Sequence, residues 1–258
     1  GALTVTGSAF SSNTSSSYGA GIVSDSGTTV DISNSAFSGN IAGIYGGAIH
    51  SSSTPLTVKN STFSGNSNGI LNGGSSTLNL YNTIIANSTG TDCENYGTIG
   101  TEKNNLLENA GNACGFTNGM NGDIIGVDPL LSGLADNGGY TQTFALGATS
   151  PAINTGDDTI CLNVPVNSFD QRGTLRPQGA HCDIGSFEYT DAIAPNTSIL
   201  TKPPVRTLSA SAVFTFSGTD NHSLPANLTF ECKLDGAAYA SCSSPKSYSG
   251  LTAIKHTF

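Results

Sequence analysis

Positive charge is what this sequence has least of: nine Lys and Arg stand against 18 Asp and Glu, for a formal net charge of -9. Such a balance gives no electrostatic footprint for nucleic acid or an anionic lipid surface, and both are excluded as partners. Charge of either sign is sparse, at 10% of 258 residues. Long apolar runs are missing too. No stretch approaches the roughly 20 residues that span a bilayer, and no charged-then-apolar signal opens the chain. Direct membrane insertion is therefore not expected, and the sequence reads as a mature segment without its own anchor. No Cys-x-x-Cys and no Cys/His cluster at zinc spacing occurs, so neither a metal nor any other cofactor is expected. A serine-hydrolase nucleophile elbow is not expected either.

What is present is Gly (32 residues) with abundant Ser, Thr and Asn, alongside 36% hydrophobic residues. That mixture suits short strands and many turns around a filled core, and suits long helices badly. An all-β fold follows. The six cysteines at 93, 114, 161, 182, 232 and 242 are better read as disulfides than as ligands. Fifteen pairings are formally open, and order along the chain favours Cys93–Cys114, Cys161–Cys182 and Cys232–Cys242. The expected compartment is oxidising, hence an extracellular or cell-surface (secreted) location.

The first ninety residues repeat one phrase four times. It begins at Leu3, Val30, Leu56 and Leu78, spacings of 27, 26 and 22, and places Phe10, Phe37, Phe63 and Ile85 seven residues on. Gly7-Ser-Ala-Phe-Ser-Ser-Asn13, Asn34-Ser-Ala-Phe-Ser-Gly-Asn40 and Asn60-Ser-Thr-Phe-Ser-Gly-Asn66 are near copies, and Tyr18-Gly-Ala-Gly-Ile22 returns as Tyr45-Gly-Gly-Ala-Ile49. Such periods without helical patterning fit the coils of a right-handed parallel β-helix. Because alternate strand side chains point inward, Phe10, Phe37, Phe63 and Ile85 should form one internal stack, with Thr62 facing outward. Asn34, Asn60 and Asn82 should align at a bend as a side-chain ladder.

The domain reading is a β-helix over residues 1–189 with an irregular, disulfide-stapled C-terminal part, a linker at 190–195, and a small antiparallel β module at 196–258. In that module Ser211–Phe216 and Leu228–Leu234 alternate as strands, and Leu234-Asp-Gly236 signals a hairpin turn.

The repeated phrase resembles the β-helical passengers of bacterial surface proteins, including polymorphic outer-membrane proteins. Asp128-Pro-Leu-Leu131, Leu134-Ala-Asp-Asn-Gly-Gly139, Ser150-Pro-Ala-Ile153, Asp170-Gln-Arg-Gly173, Arg176-Pro177 and Cys182-Asp-Ile-Gly-Ser-Phe-Glu188 together resemble the choice-of-anchor Q domain family. That resemblance implies a secreted β-helix and carries over no catalytic residue. Phe230-Glu-Cys-Lys-Leu-Asp-Gly236, Cys242-Ser-Ser-Pro245, Tyr248-Ser-Gly-Leu251 and His256-Thr-Phe258 resemble bacterial immunoglobulin-like repeats. The likeness implies an apparently incomplete immunoglobulin-like sandwich and an excerpt of a longer protein.

Glycan hydrolysis needs two carboxylates at a fixed separation, and Asp157-Asp158 is the one adjacent acidic pair. Across the four clean coils the carboxylates are Asp25 and Asp31 and the one Lys or Arg is Lys59, too few for a calcium-dependent lyase. Arg172, Arg176, Asp170 and Asp183 read as ion pairs locking a cap or as a site for a carboxylated sugar. His50, His181, His222 and His256 lie in separate segments, and the sequons at Asn13, Asn60, Asn87, Asn196, Asn221 and Asn227 are compositional. Tyr18, Tyr45 and Tyr81 form either a structural stack or a stripe for glycan stacking. The expected function is a non-catalytic extracellular or cell-surface structural or adhesive protein with glycans or surface proteins as partners. The alternatives are a subunit of a self-assembling filament, joined by strand-edge completion, and a polysaccharide lyase or hydrolase.

Overall fold

The computed structural model describes residues 1–25, 27–191, 193–220 and 225–258. His222 and Asn221 lie outside the described residues. The chain is nearly all β: among the described residues the longest helix is the four-residue turn Asp158–Cys161. It divides into two compact units, Gly1–Thr190 and Asp191–Phe258.

The first unit is a parallel β-solenoid of about five turns with three sheets. The first face stacks Ala2–Thr6, Thr29–Ser33, Pro55–Lys59, Thr77–Tyr81 and Thr98–Lys103. The second stacks Ala9–Ser11, Ala36–Ser38, Thr62–Ser64, Ile84–Ala86, Leu106–Leu107 and Ile124–Ile125. The third stacks Ile22–Ser24, Ile49–Ser51, Ile70–Asn72 and Cys93–Asn95. The register is the one the repeat dictates: Leu3 pairs with Val30, Val30 with Leu56 and Leu56 with Leu78.

Inside, Phe10, Phe37, Phe63 and Ile85 occupy successive coils of the second face. The Phe10 and Phe37 rings lie 4.7 Å apart and nearly parallel, and Phe37 and Phe63 lie 4.5 Å apart. Parallel in-register strands repeat every ~4.8 Å, and that spacing forces like side chains into stacking distance. A third internal stack, Ile22, Ile49 and Ile70, ends on Cys93, whose disulfide to Cys114 closes the core at the next coil.

The corners show where polar order resides. A continuous amide ladder runs through Asn13, Asn40 and Asn66, with each Nδ2 donating 2.9 Å to the next Oδ1. The ladder expected at Asn34, Asn60 and Asn82 is reduced to one 3.4 Å link, from Asn82 Nδ2 to Asn60 Oδ1. These three residues sit in the left-handed region at φ 45, 43 and 45°, a conformation Asn tolerates. From there Asn34 and Asn82, joined by Asn104 at φ 50°, turn their amides outward to another part of the chain.

That part is a return strap. After an antiparallel hairpin of Leu131–Ala135 and Thr143–Leu146, the chain runs back along the solenoid. Asn104 donates to the carbonyl of Thr155, Asn82 to that of Asp157 and Asn34 to that of Phe169, while Gln171 donates to the carbonyl of Ser8. The strap thus travels from the fifth coil to the first. It covers the outer side of the second face, where Ile84, Ala86 and Leu106 meet Leu146, Ala152, Ile184 and Phe187 in a second core. Thr62 is consequently not at the surface. It is 1% exposed and accepts hydrogen bonds from the Ser186 backbone and hydroxyl at 2.9 and 3.2 Å.

The second unit holds an antiparallel sheet of Asn196–Thr201, Ser211–Thr219 and Lys246–Ser249, and a hairpin of Phe230–Cys232 with Ala240–Cys242. The Cys232–Cys242 disulfide crosses that hairpin. Its turn places Asp235 at φ 53°, as the Leu234-Asp-Gly236 signal anticipates. Among the described residues of this unit Phe216 and Cys232 are the buried apolar side chains.

Candidate functional site

The exposed surface of the first face is set by strand alternation. Leu3, Val5 and their counterparts point inward, so Thr4, Asp31, Thr57 and Asn79 form an outward column at one residue per coil. Beside it Lys59 and Tyr81 are cross-strand partners, and the Lys59 ammonium lies 5.8 Å from the centre of the Tyr81 ring. The strap adds a wall: Val164 and Pro165 line, with Thr4, Asp31, Ser33, Thr57 and Lys59, an open groove of about 290 Å³. Coils two and three thus bring together the carboxylate and the ammonium that the sequence scatters. The two do not pair; among the described residues neither enters an ion pair.

The adjacent acidic pair is held in the strap. Asp157 caps the short helix, accepting from the Thr159 N–H at 2.8 Å, and meets Lys103 Nζ at 2.5 Å. Burial pushes its pKa up, but Lys103 and Thr159 outweigh that and hold it below the usual carboxylate range. Asp158 accepts from the Cys182 N–H at 2.9 Å and faces His181 Nδ1 at 2.9 Å. All four oxygens of the acidic pair are therefore engaged in holding the strap.

No family model, curated protein or solved structure matches the chain.

The charged group at 170–188 is a buried lock. Arg176, 1% exposed, donates to the carbonyls of Asp183 and Gly185 and pairs with Glu188 Oε2 at 2.9 Å. Arg172 pairs with Asp170 at 2.7 Å and stacks its guanidinium 3.5 Å from the centre of the Phe187 ring. Asp183 accepts from the backbone N–H groups of Asn154 and Tyr189. Burial first, and then the Glu188 carboxylate, push Asp183 up to about 7, and burial also raises Glu188. Three carboxylates against two guanidinium groups leave one negative charge in excess, in keeping with the raised pKa of Asp183 and Glu188. Glu188, at the end of the Cys182–Glu188 string, is the member the sequence reading did not single out.

Tyr18 and Tyr45 stack at 6.5 Å, and Tyr18 lies 4.8 Å from the His50 ring, so their faces are turned on one another and on the next coil. Tyr81 belongs to the first face instead. Burial lowers the pKa of His50. Asp158, Cys161 and Cys182 bring ligand-type atoms within 4.8 Å of one another, but both sulfurs are joined in the Cys161–Cys182 disulfide. The Gly-x-Ser-x-Gly pattern does occur once, at Gly65-Asn-Ser-Asn-Gly69. Ser67 Oγ there accepts from the Ala42 N–H at 3.0 Å at a corner of the solenoid, with no helix following as an elbow requires. Asn60 is fully buried, which closes that sequon in the folded chain.

Proposed function

We propose that this chain is a non-catalytic extracellular or cell-surface structural and adhesive protein. The observation that carries the reading is the engagement of its acid pair: Asp157 and Asp158 cap, bridge and hold the strap with every oxygen. Glycan hydrolysis needs one such group as an acid and another as a base or nucleophile. Three disulfides fit an oxidising extracellular environment, and among the described residues no helix is long and apolar enough to cross a membrane. The reading also rests on the sequence resemblance of roughly residues 90–189 to choice-of-anchor Q domains and of residues 195–258 to bacterial immunoglobulin-like repeats. In it the solenoid presents a hydroxyl-bearing face, and the second unit is an immunoglobulin-like spacer.

Incubating the chain with neutral and acidic polysaccharides and weighing the products by size is the direct test. Unchanged polymer length agrees with the proposal. Shortening that disappears in an Asp157→Asn/Asp158→Asn variant overturns it in favour of a lyase or hydrolase.

Strand Asn196–Thr201 favours a second reading, a filament subunit. All six of its residues are exposed, it is uncharged, and it lies at a sheet edge, the arrangement that accepts an added strand. Electron microscopy showing single particles at all concentrations would remove that reading.

A further inference from the structure

We infer that the groove between the first face and the Val164–Pro165 wall is a binding subsite for one ring of a neutral pyranose glycan, an assignment that rests on the adhesive reading above. The observation behind it concerns Asp31. Across residues 1–190 every other carboxylate accepts at least one hydrogen bond from the chain: Asp25 from Ser52, Asp92 from Asn109, Glu94 from Thr91, Glu102 from Asn121, Glu108 from Asn87 and Asp123 from Asn105. Asp128, Asp136 and the acids of the strap do the same. Asp31 accepts none among the described residues, and it lines the groove.

Lys59 completes the pattern. Lys59 lines the same groove and, among the described residues, enters no ion pair, so two residues of opposite charge border one space without pairing. Elsewhere on this unit such groups close up, as Lys103 does on Asp157 at 2.5 Å. A hydroxyl donates and accepts at once. A ring bearing several hydroxyls can therefore donate to Asp31 and accept from Lys59, while the Thr4 and Thr57 hydroxyls take further positions. Val164 and Pro165 offer an apolar wall to the C–H face of the ring.

Size and charge narrow the ligand. A volume of about 290 Å³ is at the low end of small-molecule pockets, roughly 300 to 1,000 Å³, and suits one ring at a time. The chain's 18 acids less Asp191, Asp220, Glu231 and Asp235 leave 14 on residues 1–190, against four bases, Lys59, Lys103, Arg172 and Arg176. A net charge of -10 on this unit repels polyuronates and sulfated polymers. The column of Thr4, Asp31, Thr57 and Asn79 continues along the solenoid at ~4.8 Å per coil, so neighbouring rings of one oligosaccharide can reach successive coils.

The test is calorimetric titration of the full chain with a neutral β-glucan hexaose, a mannan hexaose, a polygalacturonate oligomer and free glycine as a zwitterion. Binding of a neutral hexaose is expected, with a loss of at least about tenfold in Asp31→Asn and in Lys59→Met, because each removes a charge-assisted hydrogen bond. Both side chains are at the surface, and unchanged circular dichroism and melting confirm that the variants are folded. No binding of either neutral hexaose, tighter binding of the uronate or of glycine, or undiminished binding by both variants overturns the subsite. The adhesive reading is tested separately, by attachment of the full chain to intact bacterial and host cells. Attachment equal in wild type and Asp31→Asn leaves that reading standing while the groove fails, whereas shortened oligosaccharide products sink the reading itself.

Discussion

Phe63 and Thr62 are adjacent residues with different reasons to be buried. Phe63 lies between Phe37, at 4.5 Å, and Ile85 in a hydrogen-bonded coil that cannot easily collapse. Phe63→Ala is expected to cost about 3–5 kcal/mol. Thr62 points the other way and would be neutral on a bare solenoid. Beneath the strap its hydroxyl receives Ser186, so Thr62→Val should strand a buried N–H and cost about 1–3 kcal/mol. Equilibrium urea unfolding of both variants checks the pair, and a Thr62→Val stability equal to wild type would contradict the docked strap. Protonation acts at this scale too. Burial raises Asp123 to about 6, and its Oδ2 is enclosed without a partner; Asp183 is raised to about 7. A carboxyl raised in the fold stabilises it most below its unfolded value near 3.8, and that stabilisation is lost as pH rises through 6 and 7. His256, raised by its bond to Asp235, adds in the same direction, while His50, lowered by burial, opposes below its unfolded value of 6.5. Unfolding free energy should be higher at pH 5 than at pH 8, with a smaller difference in Asp123→Asn. The inward Phe stack was legible in the sequence because its period is carried by a single large residue type. The amide ladder was misplaced because the phrase contains an Asn at each end, and spacing does not say which of the two turns inward.

At the scale of elements, the strands were readable and the strap was not. A strand buried on both sides reads as an unbroken apolar pair rather than as alternation. Ile84-Ile85, Leu106-Leu107 and Ile124-Ile125 all have that form, whereas the earlier coils place Ala or Thr beside Phe. The doublets are a sequence signal of a covered second face that the repeat period alone does not carry; what covers it could not be read, because residues 147–189 are held by backbone carbonyls and single side chains without a period. The Cys161–Cys182 disulfide ties two parts of this segment together. Replacing both by Ser should lower stability by about 2–4 kcal/mol. Hydrogen exchange should accelerate over residues 150–189 and at Ile84 and Leu106, while the amides of Thr29–Ser33 and Pro55–Lys59 keep their protection. Uniform acceleration across all coils would mean that the strap is not a separable element.

The whole molecule joins two units of unequal self-sufficiency. The solenoid buries apolar stacks in every coil, whereas the described residues of the second unit bury Phe216 and Cys232. Small cores depend on staples. Reduction should therefore unfold residues 191–258 at a denaturant concentration that leaves the solenoid intact, as followed by exchange mass spectrometry. Simultaneous loss of both would refute this division. The strap has a further consequence for the solenoid as a polymer of coils. Repeat arrays behave as one-dimensional chains in which each unit senses its neighbours and the ends can unzip one coil at a time. Here Gln171 reaches Ser8 across 163 positions of sequence, and Asn34, Asn82 and Asn104 fasten the same segment at three further levels. A crosspiece fixed at both ends makes the first coil thermodynamically aware of the fifth, so the array loses its independent ends and melts as one body.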